Sequence, residues 1–315
     1  MDNQSSITHD SEISFFTFLI IILVFLLTLS FILDLRIKRN DISAPSEVVS
    51  KPFPLITLKA KAAYVYDIRT ETILFAKNED VRLPLASLAK VMSALVAEDL
   101  SPSYSTITIV EEALKTEGDS GFFKDEKWFL GDILDFSLLT SSNDGMRAVA
   151  LSLGALSRSA ATSEEIVNDF IGEMNIKASE LGLKNMYFWN ETGLDELDIR
   201  SGAYGSAKDI GILLEYIILH NPELLVATRD TMMTIRSLDN FLHIAKNTNS
   251  LASEIPGLIA SKTGFTDIAG GNLAVVFDPE LGHPIIVVIL GSTEQGRFED
   301  VRALVNAVME YVTTN

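Results

Sequence analysis

The chain of 315 residues has no cysteine, only 4 histidines and 2 tryptophans, and far fewer basic than acidic side chains, 25 Lys+Arg against 43 Asp+Glu. Without cysteine there is no disulfide scaffold, no thiol nucleophile and no thiolate metal site. His9, His220, His243 and His283 are scattered and give no metal-ligand spacing such as H-E-x-x-H, so neither a metal nor any other cofactor is expected. The formal net charge of −18 sets the chain against nucleic acid, because favourable release of counterions from phosphate needs clustered Lys and Arg. Internal repeats and low-complexity tracts are also lacking. With 47% hydrophobic and 22% charged residues, the chain has the composition of a folded protein.

The apolar residues are unevenly spread. Residues 13–33 carry no charge and include Phe15, Phe16, Phe18, Phe25 and Phe31. At helical rise this run spans about 31 Å, the thickness of a bilayer core, and it shows no polar face. A cleaved signal peptide would need a basic n-region and a small-residue cleavage site. Residues 1–12 hold Asp2, Asp10 and Glu12 but no Lys or Arg. The expected organisation is a tail (1–12), one transmembrane anchor (13–33), a linker (34–57) punctuated by Pro45, Pro52 and Pro54, and a globular domain (58–315). The flanking charges Arg36, Lys38 and Arg39 would place the C-terminal side of the span in the cytoplasm.

The globular part opens with two strand-like runs, 62–66 and 72–76, around a turn. A run from Ser87 to Leu100 is apolar on most faces and reads as a buried helix. Further helices are expected at 133–139, at 164–181 with Gly182 as its cap, at 206–219 behind a Ser206–Asp209 capping box, and at 301–312. Strands are expected at 258–263, 273–277 and 284–290. The last two are apolar on both faces, which predicts a sheet covered on both sides. The order implies one sheet assembled from the early hairpin and the late strands, with a helical block inserted between its halves.

Three short motifs carry chemistry. In Ser87-Leu88-Ala89-Lys90, residues three apart share one helix face, so a lysine amine can reach a serine hydroxyl. A serine needs a neighbouring base to act as a nucleophile, and an apolar surrounding lowers the lysine pKa toward one useful for proton transfer. Ser141-Ser142-Asn143 follows an apolar helix, and Lys262-Thr263-Gly264 lies at the end of a strand, where glycine permits close approach. Singly, each is matched by an ordinary alternative: a helix cap with an exposed lysine, a polar turn, a plain strand end. Each occurs once, in the order S-x-x-K, S-x-N, K-T-G, in fitting elements.

The triple set resembles penicillin-binding proteins and class A β-lactamases. The wider sequence resembles the D-alanyl-D-alanine carboxypeptidases, the low-molecular-weight penicillin-binding proteins of serine peptidase S11 type. That resemblance covers about 60–312 and includes 138–144 (LLTSSND), 170–183, 188–194 (FWNETGL), and Lys262 to Asp267 with Ala269 to Leu273. It implies an α/β (α+β) fold of the β-lactamase/DD-peptidase kind: a three-layer sandwich with a mainly antiparallel sheet between helices. It implies that Ser87 attacks the D-Ala-D-Ala carbonyl of a peptidoglycan stem peptide, that Lys90 accepts the proton, that Ser141 relays a proton to the leaving amine, and that Asn143 orients Lys90 and substrate. Lys262 and Thr263 would hold the substrate carboxylate beside Gly264, and the N–H groups of Ser87 and Phe265 would form the oxyanion hole. β-Lactam antibiotics would acylate Ser87. The implied setting is a bacterial plasma membrane, contacted through the N-terminal helix, with the catalytic domain outside, against the flanking charges.

Rival readings within the enzyme class are a D,D-endopeptidase of cross-links and a class A β-lactamase. The latter would need a glutamate base between the second and third motifs, where Glu191 and Glu196 lie. A rival of another class is a non-catalytic penicillin-sensing, wall-binding module. Trp128 and Trp189 read as core or groove residues, and Tyr204 as a groove residue at most.

Overall fold

The computed structural model describes residues 23–24, 26–28, 52–154, 162–196 and 199–314. Contacts divide the chain after Lys51, and Pro52–Thr314 form one unit. The expected tail and most of the expected anchor (13–33) and of the expected linker fall outside the described residues; Leu23, Val24, Leu26, Leu27 and Thr28 are helical and no more is described there. Among the described residues no single helix is long and apolar enough to cross a membrane.

In chain order, β1 (Ala62–Asp67) and β2 (Thr72–Lys77) form a hairpin, followed by the two-residue β3 (Leu83–Pro84), a 3-10 turn at Ala86–Leu88 and helix α1 (Ala89–Leu100). Strands β4 (Thr106–Thr108) and β5 (Lys127–Phe129) pair, and helices α2 (Leu130–Thr140), α3 (Asn143–Gly154) and α4 (Ser163–Glu180) follow. Short strands β6 (Tyr187–Phe188) and β7 (Ala203–Gly205) precede helix α5 (Ala207–His220). A hairpin of β8 (Met232–Arg236) and β9 (Leu242–Lys246) leads to β10 (Leu258–Thr266), β11 (Gly270–Phe277), β12 (Ile285–Ser292) and helix α6 (Gly296–Thr314).

The main sheet has the order β10-β11-β12-β1-β2 and every pairing in it is antiparallel. Early hairpin and late strands therefore share one sheet, joined where Ala62 faces Leu290. Strand alternation explains its two apolar faces. Tyr64, Ala274, Val276, Ile286, Val288 and Leu290 enter the core shared with α1 and α5, whereas Val65, Leu273, Val275, Phe277, Val287 and Ile289 enter the core shared with α6.

Local chemistry sets the helix starts. Ser206 accepts from Asp209 N–H, and Asp209 reaches back to the Ser206 N–H, so the expected capping box opens α5. A second box, Thr162 with Glu165, opens α4 and was not anticipated. Gly182, at φ 69°, follows α4 as expected. Helix α3 and the β8–β9 hairpin were not anticipated either. Alternation in β8 and β9 is blurred because Met232, Leu242 and Ile244 lie on the exposed side.

Candidate active site

The turn that carries Ser87 is held by close backbone approaches. Leu85 N–H donates to Ala203 O at 2.9 Å, and Ala86 adopts φ 48°, a conformation rare outside glycine. A Cβ on Gly193, itself at φ 81°, would stand 1.9 Å from Ala86 O. A Cβ on Gly264 would stand 2.9 Å from Leu85 O and 3.2 Å from the Ser87 nitrogen. Two glycines thus let the 190s loop and strand β10 close on the turn that carries Ser87.

Within this frame Lys90 is fully buried. Its Nζ donates to Ser87 Oγ at 2.9 Å, to Asn143 Oδ1 at 2.6 Å and to Thr192 O at 2.8 Å. Burial brings the Lys90 amine down to about 7, against the opposing pull of the Glu191 and Asp144 charges. Asn143 Nδ2 donates in turn to Glu117 O at 2.8 Å, which fixes the amide orientation.

Ser141 ends α2 in the left-handed conformation, φ 62° and ψ 33°. Its Oγ accepts from Lys262 Nζ at 2.8 Å, and Lys262 also donates to Thr263 O at 2.8 Å. Thr263 Oγ1 shares a hydrogen bond of 2.6 Å with Thr248 Oγ1. Burial, and then the positive charges of Lys90 and Arg297, push Lys262 well below its ordinary value. Burial thus pushes both site amines toward the neutral form.

Strand β10 is an edge of the main sheet. Ser261 donates its N–H away from β11, to Thr228 Oγ1 at 3.0 Å. By antiparallel alternation the N–H groups of Thr263 and Phe265 point outward as well. The Phe265 ring is 43% exposed, so its side chain is available at the rim.

The structure brings Ser87, Lys90 and Asn143 into one hydrogen-bonded group and Ser141, Lys262 and Thr263 into a second, with Gly264 against the Ser87 turn. Several contributors escaped the sequence reading. Thr192 and Glu117 act through backbone carbonyls, which residue type does not reveal. Arg297, from α6, donates to Gly264 O at 2.8 Å and lies over the Phe265 ring at 5.8 Å. Ser120 Oγ donates to Ser142 Oγ at 2.8 Å, Ser142 Oγ donates to Asp144, and Asp144 also accepts from Ser120 N–H at 3.0 Å, which anchors the 117–126 segment beside the site.

The two glutamates considered as a β-lactamase base are otherwise engaged. Glu191 is fully buried with Arg147 Nε 2.9 Å from Oε1, and Glu196 pairs with Arg200. Trp128 is core, whereas Trp189 is 40% exposed beneath the Arg200 guanidinium. Tyr204 lies under Arg82, and its hydroxyl accepts from Ser201 N–H.

Comparison with known proteins places this geometry. The sequence pattern of the family described as D-alanyl-D-alanine carboxypeptidase matches residues 46–294. The D-alanyl-D-alanine carboxypeptidase DacF of Bacillus subtilis (strain 168) is 29% identical over 263 residues, which are 81% of this chain and 64% of that protein. The chain thus spans less than two thirds of that relative. The ampicillin-bound penicillin-binding protein D2 from Listeria monocytogenes superposes with a TM-score of 0.65 at 28% identity, covering 81% of this chain and 99% of that one. The Streptomyces K15 DD-transpeptidase superposes with a TM-score of 0.72 at 24% identity, covering 81% and 98%, and so shares the fold.

Proposed function

The chain belongs to the D-alanyl-D-alanine carboxypeptidase family, and from that premise we propose that it is a serine-type carboxypeptidase that removes the terminal D-alanine of peptidoglycan stem peptides. The observation that carries this reading is Lys90, buried, near 7, and 2.9 Å from Ser87 Oγ. An amine whose proton affinity is lowered toward neutral pH suits general-base catalysis.

In the proposed reaction Lys90 takes the Ser87 proton as Oγ attacks the carbonyl between the two D-alanines. The outward N–H of Phe265, with that of Ser87, receives the developing oxyanion. Ser141 relays a proton to the leaving amine, matched by the one Lys90 took from Ser87, and the C–N bond breaks to release D-alanine, leaving Lys90 free. Water then attacks the ester on Ser87, giving its proton to Lys90, which returns it to Ser87 Oγ as the acyl–oxygen bond breaks. The substrate carboxylate binds at Thr263 and Lys262, with Arg297 supplying fixed positive charge nearby; an arriving carboxylate works against the effect of burial and favours the charged form of Lys262. Asn143 holds Lys90 and contacts the substrate amide. A β-lactam takes the same path to an acyl-enzyme on Ser87.

The same reading places the catalytic domain (58–315) outside a bacterial plasma membrane, because its substrate is there, with residues 13–33 as anchor. Protection of the domain from protease added to spheroplasts with intact membranes would overturn that orientation.

The test is to incubate the full-length chain with a pentapeptide muropeptide and with a cross-linked dimer and to weigh the products. Loss of one D-alanine from the pentapeptide, abolished in Ser87→Ala, is the expected result. Cleavage of the dimer alone would make the enzyme an endopeptidase. Equal labelling of wild type and Ser87→Ala by fluorescent penicillin, or labelling of neither, would refute both.

A further inference from the structure

Beside the Ser87–Lys90 pair lies a carboxylate that the proposed reaction does not use. Glu191 is fully buried, and its own carbonyl accepts from Ser93 Oγ at 2.6 Å while the next carbonyl, of Thr192, accepts from Lys90 Nζ at 2.8 Å. Residues 191–192 are therefore strapped across the very turn of α1 that bears Lys90. Arg147, one helical turn beyond Asn143 on α3, brings Nε to 2.9 Å from Glu191 Oε1. The approach lacks hydrogen-bond geometry, and neither carboxylate oxygen has a hydrogen-bond partner among the described residues.

A buried carboxylate with both oxygens unbonded is expensive to keep, and a glutamine or an apolar residue would remove the charge at similar volume. What the carboxylate offers in return is negative charge next to a buried base. We propose that Glu191 is a positioning residue for the peptidase reaction: its carboxylate, held by Arg147, is the counter-charge against which Lys90 exchanges the Ser87 proton. The inference rests on the carboxypeptidase reading and deepens it.

The surrounding charges fit. Lys90 faces Glu191 from the 190s loop, Asp144 from α3 and Lys262 from β10. Glu191 faces Lys90 from α1, Arg147 from α3 and Glu196 from its own loop. Burial drives Lys90 down and Glu191 up, toward a neutral pair, while their mutual attraction and Arg147 work the other way. Removing the carboxylate takes away a negative charge that favours protonated Lys90, so the free base forms at lower pH.

The experiment measures the rate of Ser87 acylation by a chromogenic penicillin between about pH 5 and 9, for the full-length wild type and Glu191→Gln. The acidic limb is expected to move to lower pH by about 0.5–1 unit in the variant, whatever happens to the plateau. A lowered plateau with the limb unmoved is what a purely structural residue would give, and it overturns the inference. Should Glu191→Gln fail to fold because Arg147 is left unpaired, the double variant Glu191→Gln/Arg147→Gln removes both charges and must shift the limb in the same direction. An unmoved limb there overturns the inference too. If the wild type is never acylated, or Ser87→Ala is acylated equally, the peptidase reading falls and this one with it. An acylated wild type with an unmoved limb sinks only the role of Glu191.

Discussion

At the scale of single residues, Lys90 links chemistry to stability. Its amine titrates near 7 in the folded chain and at its ordinary 10.5 when exposed, so the unfolded chain binds more protons between those values. Stability therefore rises with pH across that window and, below about 7, the penalty is fully present. Lys90→Met removes one such group: urea unfolding followed from pH 7 to 10 should show a shallower rise than the wild type. A rise as steep as in the wild type would contradict the burial effect. Acylation by penicillin should fall about 10²–10⁴-fold in the same variant, since the base is gone. The types and order of the motif residues were enough to anticipate that Ser87, Lys90 and Asn143, and Ser141, Lys262 and Thr263, would be gathered by the fold. The partners that tune them were not legible: Thr192 and Glu117 contribute only carbonyl oxygens, and Arg297 stands 210 positions beyond Ser87 in the chain, joined to the site solely by the fold.

At the scale of elements, the site depends on how closely three segments approach. Strand β10, the Ser87 turn and the 190s loop meet at Gly264 and Gly193, and the two glycines should fail differently when given a Cβ. At Gly193 the new atom would lie 1.9 Å from a backbone oxygen and the residue sits at φ 81°, so neither side can yield cheaply. Gly193→Ala is expected to lower stability by about 2–4 kcal/mol and to abolish acylation. At Gly264 the nearest atom, again a backbone oxygen, is 2.9 Å away and no left-handed backbone is required, so the segments need to part by less than at Gly193. Gly264→Ala should lower the melting temperature less than Gly193→Ala does while reducing acylation at least about 10-fold, since that parting moves β10 away from Ser87. A melting curve and a penicillin-labelling time course decide both, and a fully active Gly264→Ala would show that the approach of β10 is looser than drawn. Periodicity disclosed the long helices and late strands. It missed α3, which begins at Asn143 inside the second motif, and the β8–β9 hairpin, whose exposed apolar side chains hide the two-residue repeat.

At the scale of the whole unit, the sheet is closed by segments that lie far apart in sequence, and one carboxylate secures the join. Asp300, on α6, accepts from Lys59 N–H and Ala60 N–H, each at 2.9 Å, and from Ser292 Oγ at 2.7 Å. Those three donors belong to the approach to β1 and to the end of β12, which pair directly. The shared sheet could be inferred from the matching apolar strands at the two ends of the domain, but the bridging aspartate could not, because nothing in its local sequence separates it from other acidic residues on a helix. A charged acceptor that is 4% exposed and holds three donors leaves all three unsatisfied when it is removed. Asp300→Ala should therefore cost about 2–4 kcal/mol in urea unfolding, less than the sum of three separate bonds because water can re-enter near the surface. Acylation at 25 °C should be nearly unchanged, since the stitch lies between the termini of the unit and makes no contact with Ser87, Lys90 or Lys262. If Asp300→Ala instead lost activity while remaining as stable as wild type, α6 would be governing the site, through Arg297, more than it governs closure of the sheet.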